Sequence, residues 1–343
     1  VSTTSDDEAI DYLLASARAK LWRHALQDEA SAEKQAAAYQ GGEYAEQVKT
    51  AFLAELAKAK TLPIPTGYAF TANGQLAPPN LMQRLAAVTV YDRKRVGNWS
   101  GTGAGKTLSA VLASRVVGAG VTIICCPNSV VTGWTEAIHS IFPDSSVQMK
   151  TFSPDWSPTP HKYLVLNYEM FQQPDSAERI QRFLRQCTID FVVIDEVHFA
   201  KQRYESIVSR RKELINAMLS EATRKNPDLY VLGMSATPVI NNLQEGKSLV
   251  EMVTGLSYDE LNTKATVTNC MKLHQKLVTL GIRWLPEYAI QFEQELIEVD
   301  CSEHLESIRE LGQQSHNILG LEQILTRARR PAIRDVLRKH ARP

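Results

Sequence analysis

The sequence has little of what would staple a fold, anchor it in a membrane or coat a polyanion. Its cysteines, Cys125, Cys126, Cys187, Cys270 and Cys301, are odd in number and scattered. None forms a C-x-x-C pair or stands beside histidines at zinc spacing, which argues against a disulfide framework and a structural zinc site and for a reducing compartment, cytoplasmic or, in a eukaryote, nuclear. No run approaches the ~18 apolar residues that span a bilayer, and the polar, acidic start has no basic leader ahead of an apolar stretch, so no membrane role is expected. Net charge is lacking too: 38 Lys and Arg balance 38 Asp and Glu, so any nucleic-acid contact must be a local patch. Internal repeats and low-complexity tracts are absent. There is no initiator Met, and the chain stops at Pro343 directly after a basic helix; an excised fragment would show both, and processing would explain the start alone.

What is there is ordinary globular material. The 343 residues, 44% hydrophobic and 22% charged, suffice for one large α/β domain with helical additions. The stretch S-D-D-E from Ser5 to Glu8 has the form of a capping box, and the Ala-rich run after it favours helix as far as Gln40, where Gly41 and Gly42 end it. A second helix is predicted over 43–60, with Tyr44, Val48, Phe52 and Leu56 on one face, stopping before Pro63 and Pro65. Residues 1–62 therefore read as an N-terminal helical extension whose role is packing or interaction. Over 63–256 short apolar runs alternate with amphipathic helices, the pattern of a mostly parallel sheet covered on both faces. Strands are predicted at 121–126, 163–167, 191–195 and 230–235. The helix after the third carries Tyr204, Ile207, Val208, Ile215, Met218 and Leu219 at helical spacing and should leave Arg210, Arg211 and Lys212 mostly solvated. Residues 153–160 form an irregular loop. Residues 257–343 turn helical again, with one returning strand at 292–299 and a strongly basic end over 321–340.

The sharpest feature is Ser100-Gly101-Thr102-Gly103-Ala104-Gly105-Lys106-Thr107, between a short segment ending at Trp99 and a helix with Leu108, Val111 and Leu112 on its apolar face. Such a loop cradles phosphates: glycines let backbone N–H groups turn inward, the helix presents its positive end, Lys106 supplies a mobile charge to the β- and γ-phosphates, and Thr107 is placed to ligate Mg²⁺. Phe191-Val192-Val193-Ile194 then ends in two adjacent acids, Asp195 and Glu196. At a strand tip Asp195 can hold Mg²⁺ and Glu196 can deprotonate an attacking water. A solvated strand end with a helix cap would be the bland reading of acids standing alone; following Lys106 in this order, they are read as catalytic. Third comes Ser235-Ala236-Thr237, whose hydroxyls can hydrogen-bond the acidic pair.

The order G-T-G-A-G-K-T, D-E-V-H, S-A-T resembles motifs I, II and III of helicase superfamily two. Further residues resemble the SWI/SNF-type translocases of that superfamily: Cys126-Pro127-Asn128-Ser129 with Trp134 and Glu136, Asn167-Tyr168-Glu169, His198 followed by Lys201, and Thr237-Pro238 followed by Asn241-Asn242-Leu243. The resemblance covers roughly residues 80–330. It implies a RecA-like P-loop NTPase lobe that binds ATP with Mg²⁺. Gln83 falls where the family has an adenine-reading glutamine, and His198, Ser235 and Thr237 would couple the nucleotide to the nucleic-acid side. Asn128, Ser129 and Tyr168 would lie along a nucleic-acid backbone; for Ser129, capping the next helix is the alternative. The basic end, from Arg327 to Arg342, is read as a solvated face or a further DNA contact. Two departures, W-S-G-T-G-A-G-K-T in motif I and D-E-V-H in place of D-E-A-H, keep restriction-type and defence translocases open. The expected partners are duplex DNA, a second RecA-like lobe that brings the arginine needed for efficient hydrolysis, and in the defence variant a nuclease. A strand-separating DNA or RNA helicase is the alternative motor. A P-loop switch or kinase fits poorly, because no N-K-x-D guanine-reading motif is present.

Overall fold

A computed structural model describes residues 3–26, 28–152, 156–197, 210–239, 242–286, 297–313 and 318–340. The chain divides into two compact units, residues 1–286 and 287–343.

The first unit opens with three helices, α1 (Thr3–Ala25), α2 (Glu29–Ala38) and α3 (Glu43–Thr61). Two of the expected boundaries differ. Because α1 begins ahead of Ser5, the S-D-D-E stretch does not start it, and the Ala-rich run breaks where the Asp28 carboxylate accepts the Ser31 N–H and caps α2. Helix α3 buries Val48, Phe52 and Leu56 as its periodicity predicts, but Tyr44 is exposed and Ala45 and Ala59 complete the buried face. Beyond a small hairpin of β1 (Thr71–Ala72) and β2 (Gln75–Leu76) come α4 (Leu81–Arg93), β3 (Arg95–Asn98), α5 (Lys106–Val116), β4 (Val121–Cys126), α6 (Val131–Ile141), β5 (Ser146–Met149), β6 (Lys162–Asn167), α7 (Ser176–Gln186), β7 (Phe191–Asp195), α8 (Arg210–Lys225), β8 (Tyr230–Met234), α9 (Leu243–Thr254), α10 (Val267–Leu280) and β9 (Gly281–Ile282). The second unit contains α11 (Leu305–Gln313) and α12 (Ile318–His340), the latter continuing through Pro331.

Strands β3 to β9 form one sheet in the order β5-β6-β4-β7-β8-β3-β9, every neighbouring pair parallel. This is the RecA-like arrangement. Parallel strands covered on both faces read as continuous apolar runs rather than alternation, which is why β4, β6, β7 and β8 are visible in sequence. One face is covered by α4, α5 and α6, which contribute Val90, Val111, Leu112, Trp134 and Ile138 to its core. The other is covered by α7 to α10, through Phe183, Met218, Leu249 and Leu273 among others. A third core joins α1 to α3 with Leu81, Met82, Leu85 and Ala86 of α4, and it also takes in Ala104 of the phosphate loop. The N-terminal helices thus share a core with the loop.

Strands β3, β5 and β9 of the sheet have no counterpart among the expected strands. Of the strand expected at 292–299, residues 292–296 lie outside the described residues and 297–299 are not in a strand. The described part of the helix after β7 buries Ile215, Met218 and Leu219, and Arg211 is half-buried with its guanidinium 5.4 Å from the centre of the Tyr168 ring. Among the described residues no helix is long and apolar enough to cross a membrane.

The two-residue β9 depends on close backbone approach. A Cβ on Gly281 would stand 2.3 Å from the carbonyl oxygen of Gly97 and 2.6 Å from the Trp99 indole nitrogen. Gly281→Ala is therefore expected to push β9 off β3 and cost about 1–3 kcal/mol, read as a lower urea midpoint with an unchanged slope.

Candidate functional site

Register brings the three motifs to one edge. In the sheet Asn98 at the end of β3 stands opposite Met234 of β8, and Met234 stands opposite Asp195 of β7. The phosphate loop, Ser235 and Glu196 therefore leave three adjacent strands at the same carboxyl edge, where ligands bind in open α/β sheets. The Ser235 N–H donates to the Asn98 carbonyl at 3.2 Å and ties the third segment to the first. The Ser235 hydroxyl donates to Oε2 of Glu196 at 3.4 Å and accepts the Thr237 N–H at 3.1 Å.

The loop is pre-shaped. Gly103 and Gly105 hold φ of 75° and 79°, in the left-handed region that costs other residues most. The Lys106 amine is half-buried and donates to the carbonyls of Ser100 and Gly101 at 2.9 and 3.0 Å. Desolvation lowers its pKa, while the nearby charges of Glu196 and Asp195 act to raise it. The ammonium and both carboxylates thus share one electrostatic environment. Thr107 lies in the first turn of α5, half-buried, while Thr102 and Gly103 are exposed and Ala104 is buried. Two glycines in the left-handed region and a half-buried ammonium resting on carbonyls fit the phosphates of a nucleotide.

Asp195 is largely removed from water. Desolvation, with a further push from Glu196, raises its pKa to about 6, against the lowering effects of the Trp134 hydrogen bond and Lys106. The Trp134 indole N–H donates to its Oδ2 at 2.9 Å, and the Tyr168 hydroxyl donates to its backbone carbonyl at 2.6 Å. Glu196 follows with φ of 50°, an unusual conformation for a residue with a side chain.

Gln83 lies beside the loop: a Cβ on Gly105 would stand 2.4 Å from its amide nitrogen. Its amide oxygen accepts the Asn80 N–H at 2.8 Å in a capping box, so that atom serves helix α4. Asn128 and Ser129 are exposed in the turn after β4. Ser129 does not cap the following helix, since α6 has no side-chain cap hydrogen bond. The side chain of Tyr168 is not on the surface as expected: it is 1% exposed, held beneath Asp195. Thr237 is exposed, and Asn242 caps α9 by accepting the Glu245 N–H. His198 and Asn241 lie outside the described residues, as does Arg342. Arg327, Arg329, Arg330, Arg334, Arg338 and Lys339 are exposed on α12.

A phosphate loop, an acidic pair and a Ser-Ala-Thr segment on one edge of a RecA-like sheet define a helicase-like ATPase domain of superfamily two. The chain belongs to the family described as "Type III restriction enzyme, res subunit", which matches residues 45–240, more than half of it. That region takes in nearly all of α3 and every motif of the site. Solved structures to which the chain is similar include the Sulfolobus solfataricus SWI2/SNF2 ATPase core in complex with dsDNA, at 15% identity over 65% of this chain and 47% of that one, with a TM-score of 0.46. Another is the UvsW helicase from bacteriophage T4, at 15% identity over 64% of each chain, with a TM-score of 0.37. The chain thus spans less than two thirds of either structure. No curated protein matches the sequence significantly.

The raised pKa of Asp195 fixes a sign. The folded protein holds this proton more tightly than the unfolded chain, so the residue's contribution to stability falls as pH rises from 3.8 to about 6, and above that the loss is complete. Asp195→Asn keeps an acceptor for Trp134 and removes the buried charge. It is expected to stabilise the ligand-free protein at pH 7 by roughly 1–3 kcal/mol, and the gain should vanish near pH 4 in thermal unfolding.

Proposed function

We propose that this chain is the first motor lobe of an ATP-driven translocase on duplex DNA. The observation that carries the reading is the shared strand edge, with Ser235 bonded to Asn98 on one side and Glu196 on the other. The loop of residues 101–107 would cradle the phosphates of ATP, through N–H groups beyond that of Gly101, which is bonded to the Trp284 carbonyl, and the Lys106 amine would exchange the Ser100 and Gly101 carbonyls for the β- and γ-phosphates. Thr107 and Asp195 would hold magnesium, which when bound would supply positive charge to the transferred group. Glu196 takes the proton of the attacking water, its Oε2 aimed by Ser235. Thr237 and His198 carry the state of the site onward. Gln83 borders the base pocket. Asn128 and Ser129, exposed past β4, contact backbone phosphates, which explains how a chain without net charge can bind DNA.

Efficient hydrolysis needs an arginine from a second RecA-like lobe, an effect worth about 10³–10⁵ in rate. The purified chain should therefore bind Mg-ATP and turn it over negligibly with or without duplex DNA; vigorous DNA-stimulated hydrolysis would overturn the two-lobe requirement. Lys106→Ala should weaken nucleotide binding by about ten- to hundredfold, and unchanged calorimetric affinity would sink the assignment of the site. In a complete motor, stimulation by duplex rather than single strands, without strand separation, distinguishes translocation from unwinding. The family assignment also favours a motor that serves a nuclease, which DNA cleavage dependent on an added nuclease partner would test.

Trp134 enters this scheme as a positioning residue, one turn into the helix that follows the exposed Asn128 and Ser129. Trp134→Phe removes the donor to Asp195 and should weaken Mg²⁺-dependent nucleotide binding about tenfold. Binding measured in EDTA should change little, whereas a general packing defect would lower both.

A further inference from the structure

A partly open pocket lies between the N-terminal helices and the sheet. Its volume is about 90 Å³, and its walls include Trp22 of α1, Trp99 just before the phosphate loop, Pro238 just after Ser-Ala-Thr, and Ile282 of β9. At roughly 30 Å³ per water, it has room for about three waters, the bulk of one tetrahedral oxyanion.

Its charges are lopsided. Arg18, Arg93 and Arg283 line it against a single acid, Glu55. Glu55 is already fully used: its Oε1 lies 3.1 Å from the Arg18 guanidinium and 3.3 Å from that of Arg93, and its Oε2 accepts the Trp22 indole N–H at 2.8 Å. Arg93 spends a further N–H on the Thr279 carbonyl, and the adjacent Asp92 is ion-paired to Lys58. Burial and the neighbouring Arg18 both act against the charged form of Arg93. Arg283 is exposed at the rim and makes no hydrogen bond or ion pair with any described residue. The remaining polar groups are Thr89 and His274, the latter 3.2 Å from the Tyr12 hydroxyl. Three guanidiniums around one carboxylate, those of Arg93 and Arg283 exposed, leave a local excess of positive charge in a largely apolar pocket that would draw in a small anion. An adjoining cleft of about 320 Å³, lined by Ser16, Lys20, His274 and Arg283 among others, brings further positive charge to the entrance.

We propose that this chamber is an oxyanion site for a phosphate group, separate from the nucleotide site and independent of it. Arg18 and Arg93, both beside Glu55, supply two of the guanidiniums and Arg283 the third. The chamber admits only the phosphate itself; any organic portion of a monoester would occupy the outer cleft.

The test uses the 343-residue protein carrying Lys106→Ala, so that the phosphate loop contributes little, and titrates inorganic phosphate at constant ionic strength by calorimetry and thermal unfolding. Saturable binding is expected. It should weaken at least about tenfold on adding Arg283→Gln, in keeping with the loss of one charge-assisted contact. Because Arg283 has no partner to lose, its substitution should leave the urea midpoint of the anion-free protein unchanged. Arg93→Gln, which removes the guanidinium held by Glu55 and the Thr279 carbonyl, should abolish binding. Competition by AMP would identify the ligand as a phosphate monoester, and saturable phosphate binding without such competition would identify the free ion; both support the site. Absence of saturable binding in the Lys106→Ala protein, or equal affinity after Arg283→Gln, would overturn it. Nucleotide binding by the protein with Lys106 intact is measured separately, so failure here leaves the motor assignment standing and the reverse also holds.

Discussion

Two opposite charges partly withdrawn from water at one edge of a parallel sheet constrain everything else in this fold. Asp195 ends β7 where desolvation opposes its ionisation, and Lys106 begins α5 where desolvation opposes its own. Each is unfavourable alone. Their mutual field offsets part of the cost, and hydrogen bonds must supply the rest. Trp134 and Tyr168 hold the side chain and the carbonyl of Asp195, while two loop carbonyls hold Lys106. A site fixed in this way before ligand arrives need not reorganise when charge develops within it. The left-handed Glu196, which costs on the order of 1 kcal/mol, belongs to the same arrangement: the chain turns sharply at the strand end, and the carboxylate meets Ser235.

The same two hydrogen bonds to Asp195 give the nucleic-acid side of the proposed motor a physical route to the nucleotide. Trp134 follows the exposed turn of Asn128 and Ser129, and Tyr168 directly follows β6. Both side chains are buried and both end on one residue. A shift of either segment changes the donors around Asp195 without any longer chain of contacts. The N-terminal helices act from the opposite side: Leu81, Met82 and Leu85 share their core with Ala104, and Gln83 of the same helix rests against Gly105. They are part of the support of the loop, which an Ala-rich sequence does not disclose.

What the sequence displays is what local chemistry dictates. Four buried strands, the glycine loop and the paired acids follow from short apolar runs and from residue types that few other roles require. What it hides depends on partners distant in the chain. Strand β9 has two residues and no periodicity, and it exists because Gly281 lets backbones approach. Tyr168 reads as a nucleic-acid contact in a motif, yet its hydroxyl finds the carbonyl at the end of β7 and its ring lies beside the Arg211 guanidinium. The break between α1 and α2 is marked by Asp28, a good cap in an otherwise helical composition. Tyr44 fits the helical stripe but falls at the first turn of α3, where the core does not reach.

Ser100 shows how a departure from a pattern can be explained by its surroundings. The strict phosphate-loop pattern has glycine there, and a sequence comparison registers serine only as tolerated. In the fold, the segment after β9 runs alongside the loop and extends the β3 ladder: the Trp99 N–H donates to the Ile282 carbonyl at 2.8 Å and the Gly101 N–H to the Trp284 carbonyl at 2.7 Å. Between these two bonds the Ser100 hydroxyl accepts the Trp284 N–H at 3.1 Å. Serine thus fills the place of a backbone acceptor, and glycine there would leave that N–H unpaired in a half-buried position. At Gly101 next to it a Cβ would stand 3.2 Å from Cδ2 of Leu285, a tight contact that the leucine side chain must ease by a few tenths of an ångström. The loop is therefore read from both sides: its phosphate-facing surface favours glycine for the ligand, and its rear uses one hydroxyl and a small residue beside the strand that leaves α10.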